Sequence, residues 1–308
     1  MDTRTIGSLR LSAVGLGCNN FGRRIDAAAS AAVVHAALEA GIHFFDTADI
    51  YGDGRSEEFL GRALGSRRAD VVVATKFGMP IAGQPAGASP AYLRKAIEDS
   101  LRRLGTDRID LYWLHEPDPK TPIADTLGVL DELVKAGKVR EIGCSNFTVE
   151  QLQAARDAVG SGAARFVAVQ NEYSLLHRDP ERGVLAECER QHLAFVPYFP
   201  LASGLLTGKY RRGEPAPEGT RLANSPRAPE LLSDRNLDVV EALSVFATSR
   251  GHTLLELAMS WLLSRPTVAS VISGATRPEQ VRANAAAGEW RLDDAELTEV
   301  DSILLQHA

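Results

Sequence analysis

The sequence predicts an α/β protein in which eight parallel strands and their helices form a single closed (β/α)8 barrel. Short apolar segments alternate with longer helical patterns along all 308 residues, as in consecutive βαβ units. Eight such segments are present and the composition does not change along the chain, so we expect residues 1–308 to form one domain. Polar residues end most of these segments, on the side where a TIM-type barrel opens.

Each predicted strand is a short run of apolar and β-branched residues, as expected for parallel strands buried on both faces. An open, doubly wound sheet is the structural alternative, because it has the same alternation of strands and helices. In chain order the predicted strands are 13–16, 43–46, 71–76, 109–115, 141–145, 167–171, 194–199 and 269–272.

Capping residues and glycines mark the helix boundaries. Ser89 and Thr121 each precede a proline, which predicts an N-cap followed by proline at the first helical position. Gly105 and Gly137 stand where these two helices should end. Two further pairs have the spacing of a capping box, Thr148 with Gln151 and Thr253 with Glu256.

Three segments lie outside the strand and helix repeat. Residues 3–12, with Gly7 and Ser8 at the centre, are predicted to form a hairpin that plugs the bottom of the barrel. Residues 201–233 are rich in Gly, Pro and Arg, and a loop of this length in a compact domain is usually functional. Residues 293–305 have the pattern of a C-terminal helix.

The composition argues against several classes of function. Apolar residues make up 44% and charged residues 24%, and the net charge of −6 is spread along the chain, so we expect no nucleic-acid partner. No targeting signal or membrane-spanning apolar stretch occurs, which predicts no membrane association and a cytoplasmic location. The cysteines, Cys18, Cys144 and Cys188, are widely spaced, which fits reduced thiols and gives no metal pair.

Several ionisable residues end predicted strands at the open mouth of the barrel. Side chains alternate along a strand, so Asp46, Lys76 and His115 can all point into this mouth. Tyr51 follows Asp46 closely in a turn that contains glycine. Each of these residues alone could be a cap or a surface charge, but their occurrence on successive strands indicates a catalytic site.

The residue types in this group suggest proton transfer. An unperturbed tyrosine has a pKa of about 10 and is a poor proton donor near neutral pH. The Lys76 ammonium should lower the pKa of Tyr51, and the Asp46 carboxylate should hold that ammonium in place. A neutral His115 can donate a hydrogen bond to a carbonyl oxygen. No residue set has metal-ligand spacing, and neither a nucleophile elbow nor a Walker motif is present.

Several segments, in order and at barrel spacing, carry a resemblance to a known family over essentially the whole chain. They are GIHFFDTADIYGDGRSEEFLGRAL, VVVATKFG, DRIDLYWLHEPDP, VREIGCSNF, VQNEYSLLHRD, YFPLASGLLTGKY and ISGATRPEQVRAN. On these segments the chain resembles the aldo-keto reductases, and it looks like the bacterial branch near the potassium-channel beta subunits and aryl-alcohol dehydrogenases. The resemblance implies reversible reduction of an aldehyde or ketone to an alcohol with a nicotinamide cofactor.

The resemblance also implies roles for individual residues. Asp46, Tyr51, Lys76 and His115 would form the catalytic tetrad, with Tyr51 as general acid in reduction and general base in oxidation. The cofactor would lie across the barrel mouth, with Tyr198 stacked on the nicotinamide ring. From the nicotinamide to the adenosine end, the implied cofactor-binding residues are Asp46, Ser145, Asn146, Gln170, Tyr198, Leu201, Ser203, Lys209, Arg221, Gly274, Thr276, Gln280 and Asn284, and the charge of Arg277 adds this residue to the set.

The cofactor predicted is NADPH, because the Arg277 guanidinium can pair with a 2′-phosphate. The alternative is that Arg277 is a solvated loop charge, in which case NADH remains possible; Gln280 stands where other branches place an arginine. Two positions depart from the family pattern. Phe199 replaces a usual serine and Ala283 a common acid, which should affect cofactor affinity more than reaction class.

Two other functions remain open at this point. A binding or sensing subunit would hold the cofactor and turn over slowly, although the intact His115 favours catalysis. A phosphosugar-processing barrel would leave Tyr51 and Lys76 without a role. The predicted partner is a small carbonyl compound whose identity the sequence does not reveal, and the oligomeric state is likewise unknown. Phe21 and Trp113 either line the pocket for the carbonyl substrate or belong to the packed core.

Overall fold

The computed structural model describes residues 1–81 and 86–307, and its centre is an eight-stranded parallel sheet. An antiparallel hairpin precedes the sheet. The hairpin strands are β1 (Thr3–Ile6) and β2 (Leu9–Ser12). The sheet strands are β3 (Val14–Gly17), β4 (Phe44–Asp46), β5 (Val72–Phe77), β6 (Ile109–Leu114), β7 (Val139–Ser145), β8 (Phe166–Gln170), β9 (Ala194–Phe195) and β10 (Val271–Gly274).

The sheet closes into a barrel. Neighbouring strands follow chain order from β3 to β9, and β10 pairs with β3. The remaining gap is closed at Phe195, whose amide donates to the Thr267 carbonyl at 2.7 Å and whose carbonyl accepts from the Ala269 amide at 2.9 Å. A doubly wound sheet would instead have open edges and a reversal of strand order. The predicted barrel is therefore confirmed.

Helices surround the barrel and bury their apolar faces against the strands. In the described residues they are α1 (Ala27–Glu39), α2 (Arg55–Leu64), α3 (Pro90–Leu104), α4 (Ile123–Lys135), α5 (Val149–Asp157), α6 (Val184–Gln191), α7 (Ala228–Leu231), α8 (Asp234–Ser249), α9 (Leu254–Leu263), α10 (Pro278–Ala286) and α11 (Asp294–Gln306). Short 3-10 turns cover Gly65–Asp70, Asp179–Arg182 and Ala202–Thr207. Within these described residues, none of the helices has the length and apolar character needed to span a membrane.

The predicted strands coincide with the observed strands to within a few residues, with one exception. The segment predicted at 194–199 pairs as a strand only over Ala194–Phe195, apart from an isolated bridge between Tyr198 and Glu172. Pro197 has no amide proton to give to a neighbouring strand, and Phe199 has a φ of 51°, which turns the chain out of the extended conformation. The chain therefore leaves the sheet early on this side of the mouth.

Most predicted caps are present. The Ser89 hydroxyl accepts from the Tyr92 amide, both predicted capping boxes form, and Gly105 ends α3 in the left-handed conformation. The prediction for Thr121 is wrong, since α4 begins at Ile123 and has no side-chain cap. The Thr121 hydroxyl instead donates to Asp118 Oδ2 at 2.7 Å. Pro122 occupies the N-cap position instead, so the Thr121 hydroxyl serves the loop before the helix.

The hairpin fills the bottom of the barrel, as predicted. Ile6, Leu9 and Leu11 are buried there. The Ser8 amide at the hairpin turn donates to Glu141 Oε1 at 2.7 Å, which ties the turn to β7. The interior residues that these side chains join are Phe44, Val72, Ala74, Leu111, Trp113, Ala168, Val196, Ala269 and Ile272. With this end closed, the loops at the carboxyl ends of the strands form the open side of the barrel.

Candidate active site

A cavity of about 730 Å³ opens at the carboxyl ends of the strands. This volume lies within the usual range for ligand sites. All the cofactor-binding residues expected from the sequence line it, together with Tyr51 and His115. Lys76 does not reach the cavity surface, because it is fully buried beside Asp46.

Asp46 and Lys76 form a buried ion pair under the cavity floor. Lys76 Nζ donates to Asp46 Oδ2 and, at 2.9 Å, to the Thr47 carbonyl. Asp46 Oδ1 accepts from Trp113 Nε1 at 3.0 Å and from Gln170 Nε2 at 3.1 Å. Burial by itself would lower the pKa of Lys76, but Asp46 and then Tyr51 raise it above its ordinary value. The ammonium therefore stays charged in this site.

A glycine makes room for one of these contacts. Gly143 on β7 lies opposite Trp113 on β6 in the sheet register. A Cβ at position 143 would come within 2.4 Å of two atoms of the Trp113 ring. Because real Cβ atoms do not approach so closely, only glycine lets the indole reach Asp46. Trp113 thus belongs to the support of the carboxylate and does not line the cavity, and Phe21 is likewise buried in the core.

Tyr51 lies above the ammonium and is partly exposed to the cavity. Lys76 Nζ is 5.3 Å from the centroid of the Tyr51 ring. The turn that carries Tyr51 is held by hydrogen bonds from the Tyr51 amide to the Ala48 carbonyl and from the Asp49 amide to the Lys76 carbonyl, both 3.1 Å. Burial raises the pKa of Tyr51, and the Lys76 charge opposes this rise without cancelling it. The expectation of a lowered pKa is wrong, because lost hydration of the phenolate outweighs the ammonium.

His115 stands beside Tyr51 at the end of β6. Its ring is edge-on to the phenol, with 5.9 Å between the centroids. Burial and the nearby Lys76 charge hold the pKa of His115 well below its ordinary value. The imidazole is therefore neutral near pH 7, as expected, and has one N–H to donate.

Amides and hydroxyls extend the cavity wall next to this group. Tyr198 donates from its hydroxyl to Asn146 Oδ1 at 2.8 Å, and Asn146 Nδ2 donates to the His115 carbonyl at 3.1 Å. Asn146 has a φ of 63°, a left-handed conformation that asparagine tolerates better than most residues. Ser145 and Gln170 are buried at the adjacent strand ends. These contacts fix the Tyr198 ring relative to Tyr51 and His115.

Cationic side chains gather at the other part of the cavity. They include the expected Lys209, Arg221 and Arg277 and two arginines that the sequence analysis missed, Arg23 and Arg24. In residues 1–81 and 86–307, no carboxylate oxygen lies within 4.0 Å of their charged nitrogens. Burial and neighbouring cations lower the pKa of both Lys209 and Arg221. Such a concentration of unneutralised positive charge favours binding of an anion.

The turn after β10 is organised by Gln280. Its side-chain oxygen accepts from the Thr276 amide at 2.8 Å and from the Thr276 hydroxyl at 3.2 Å. Arg277 follows this turn at the N-cap of α10 and is exposed, while Asn284 is buried within the helix. Over the described parts of the chain, no cluster of three or more His, Cys, Asp or Glu side chains is placed to hold a metal ion.

The positions of Arg23 and Arg24 in the chain already place them at the cavity. They lie in the loop after β3, and every loop at this end of a barrel borders the mouth. Asn19, Asn20, Met79 and Glu116 also line the cavity from such loops. A search of complete loops in place of strand ends would have found them all.

The chain is similar to known proteins over nearly its whole length. The model of the aldo/keto reductase family matches residues 13–305. The aldo-keto reductase yakc [NADP(+)] of Schizosaccharomyces pombe is 34% identical over 97% of this chain and 90% of its own length. A probable voltage-gated potassium channel subunit beta of Oryza sativa is 35% identical over 91% and 88%. The structure of a glycerol dehydrogenase from Gluconobacter oxydans, 33% identical, matches with a TM-score of 0.88 over 100% of this chain and 96% of that one.

Proposed function

This chain belongs to the aldo/keto reductase family, and we propose that it is an NADPH-dependent enzyme that reversibly reduces a small aldehyde or ketone to an alcohol. The observation that carries the proposal is the buried Asp46–Lys76 pair directly beneath Tyr51, on the floor of a cavity whose far part is cationic. We propose further that residues 1–308 act as one catalytic domain and, from the composition, that the protein is cytoplasmic.

Tyr51 is the proton donor in this proposal. Its raised pKa keeps the phenol protonated at neutral pH, so a proton is available for the carbonyl oxygen of the substrate. The Lys76 ammonium then stabilises the phenolate that is left, and Asp46 holds the ammonium in position. In oxidation the same phenolate accepts the proton. The neutral His115 donates a hydrogen bond that orients the carbonyl oxygen.

A nicotinamide dinucleotide fits the remaining surface. When bound, its reduced ring supplies the hydride. Tyr198, Ser145, Asn146 and Gln170 would hold the nicotinamide end, and the cations Lys209 and Arg221 would meet the pyrophosphate. The turn after β10 and the first part of α10, from Gly274 to Asn284, would hold the adenosine end, where Arg277 at the start of α10 suits a 2′-phosphate. The S. pombe relative carries NADP(+) in its name, which supports the same cofactor here.

The loss of NADPH absorbance in the presence of a panel of aldehydes and ketones tests this function. We expect turnover with at least one carbonyl compound, and we expect Tyr51→Phe to bind NADPH without turnover. Tight NADPH binding with negligible turnover on every compound would favour a sensing role, as the similarity to a potassium channel subunit suggests. A chain that bound no nicotinamide cofactor would contradict the proposal.

A further inference from the structure

The Phe199 ring lies close to two arginines of the 201–233 segment. Arg221 Cζ is 5.2 Å and Arg227 Cζ 5.7 Å from its centroid, within the range of cation–π attraction. We propose that Phe199 is a positioning residue, which holds this segment at the cavity mouth and sets Arg221 for the phosphates of the cofactor. The inference rests on the proposed function, since it assigns Arg221 an anionic ligand.

Arg221 depends on the ring because it has no polar partner of its own. In the described residues its guanidinium makes no side-chain hydrogen bond and no ion pair. It lines the cavity, and burial together with Arg24 lowers its pKa. A flexible cation without partners would sample many rotamers. Binding a phosphate would then restrict it to one of them, at a cost in conformational entropy. A flat aromatic face restricts the guanidinium in advance.

Phe199 itself is rigidly placed. Its φ of 51° is unusual for a bulky residue, and such a conformation persists only when its surroundings hold it. Its ring packs edge-on against Tyr198, with 5.3 Å between centroids, and its carbonyl accepts from the Ala202 amide at 2.9 Å. Because the Tyr198 hydroxyl donates a hydrogen bond to Asn146, the Phe199 ring that packs on Tyr198 is fixed relative to the proposed nicotinamide site.

Arg227 connects the same ring to the barrel wall. It pairs with Glu172 at 3.3 Å, and Glu172 bridges Tyr198 through the backbone. Arg24, from the loop after β3, donates to the Gly219 carbonyl at 2.8 Å and holds the other side of the segment. These contacts tie the segment down near Gly219 and near Arg227, and Phe199 is the apolar contact at the second of these places. The serine that aldo-keto reductases usually have at this position offers no aromatic face for either arginine.

Substitution at position 199 tests the inference. Phe199→Leu keeps apolar bulk but removes the aromatic face, whereas Phe199→Tyr retains it. We expect Phe199→Leu to weaken NADPH binding by about five- to thirtyfold, chiefly through faster release, which stopped-flow fluorescence measures. Phe199→Tyr should keep the affinity of the wild type. Melting temperatures of both variants should stay near that of the wild type. The matched control is Phe246→Leu, which removes the ring under Arg250 at 3.8 Å, outside the cavity, and should not affect NADPH binding.

A second measurement needs no cofactor. Trypsin should cut the segment after Arg211 faster in Phe199→Leu than in the wild type, Phe199→Tyr or Phe246→Leu, since Arg212 is held separately by three carboxylates of α8. If Phe199→Leu does not fold, Arg227→Gln tests the same contact from the other side and should also speed both cleavage and NADPH release. Unchanged cleavage and unchanged release, or a Tyr variant as weak as Leu, would overturn the role of Phe199. A wild type that does not bind NADPH would instead overturn the proposed function, while the cleavage rates would still decide whether Phe199 holds the segment.

Discussion

The two ends of the barrel are built from the same strands but hold opposite kinds of side chain. At the bottom, Leu9 and Leu11 of the hairpin pack on apolar interior residues such as Phe44. At the top, only two residues further along β4, the interior position is occupied by Asp46 with its buried partner Lys76. Apolar burial stabilises a fold, whereas a buried ion pair often contributes little net stability. Stability and chemistry are therefore assigned to different ends of each strand.

Removing the proton donor is expected to have the largest effect at the catalytic end. Tyr51→Phe deletes one hydroxyl, so carbonyl reduction should fall by about 10²- to 10⁴-fold while the dissociation constant for NADPH stays nearly unchanged. Steady-state turnover and fluorescence titration measure the two quantities. A variant that kept most of its turnover, with the chemical step shown to be rate-limiting, would rule out Tyr51 as the acid.

Lys76→Met should damage both catalysis and stability. Without the ammonium nothing opposes the rise in the pKa of Tyr51, so residual alcohol oxidation should require higher pH than in the wild type. The Asp46 carboxylate is left buried without its ion-pair partner, which should lower the free energy of unfolding by about 3–5 kcal/mol. Rate profiles against pH and urea unfolding test the two parts. An unchanged pH profile would contradict the role of Lys76.

At the other end of the barrel, a core substitution should affect stability alone. Leu9→Ala removes most of a side chain that is 1% exposed, so the free energy of unfolding should fall by about 2–5 kcal/mol. The turnover number of the folded variant should change little, because the hairpin is remote from Tyr51. Leu305→Ala is the control, since that side chain is 72% exposed and its loss should barely affect unfolding. A large drop in turnover for Leu9→Ala would contradict the claim that the bottom of the barrel affects stability and not catalysis.

Asp49 is a second buried carboxyl near the mouth, but unlike Asp46 it has no ion-pair partner among the described residues. Burial, and then the nearby Glu57, raise its pKa to about 7, and Tyr92 donates to it weakly at 3.5 Å. The native state therefore holds a proton that the unfolded chain releases near pH 4, and this group makes the wild type less stable as the pH rises from about 4 to about 7. Asp49→Asn should remove that decline, a relative gain of up to about 4 kcal/mol at pH 8.

Chemical denaturation at several pH values measures the effect of Asp49→Asn. The exposed carboxyl of Asp107 provides the control, because Asp107→Asn should leave the pH dependence as it is in the wild type. If the wild type and Asp49→Asn showed parallel stability curves between pH 4 and 8, Asp49 would be ionised in the native protein and this account of it would be wrong.

Cofactor choice is expected to show the smallest effect, because Arg277 is exposed. A charge-assisted pair with a 2′-phosphate, roughly 1.5–3 kcal/mol, predicts about a ten- to hundredfold preference for NADPH over NADH. Arg277→Ala should abolish most of that preference and leave NADH affinity unchanged. Dissociation constants for both cofactors with both proteins decide the matter. Equal affinities in the wild type, or a preference that survives the substitution, would exclude Arg277 from this role.

Much of the fold follows from local sequence patterns. Apolar runs of strand length predict the barrel strands because parallel strands are buried on both faces, and both capping boxes form where their spacing predicts them. The same patterns failed at two prolines. Thr121 does not cap α4 because Pro122 occupies the N-cap position and the helix begins at Ile123, and the strand at 194–199 ends early because Pro197 cannot donate to the sheet.

By itself, the sequence determined the barrel, its hairpin plug and the group of Asp46, Tyr51, Lys76 and His115, because strand alternation and strand ends are local properties. Only the tertiary structure decided the electrostatics and the support of that group. The pKa of Tyr51 rises because burial weakens the hydration of the phenolate, and Trp113 reaches Asp46 because Gly143 on the next strand leaves it room. Phe199 acquires its place beside Arg221 and Arg227 in the same way. Hydration and close packing depend on neighbours that are distant in the chain, so no local pattern contains them.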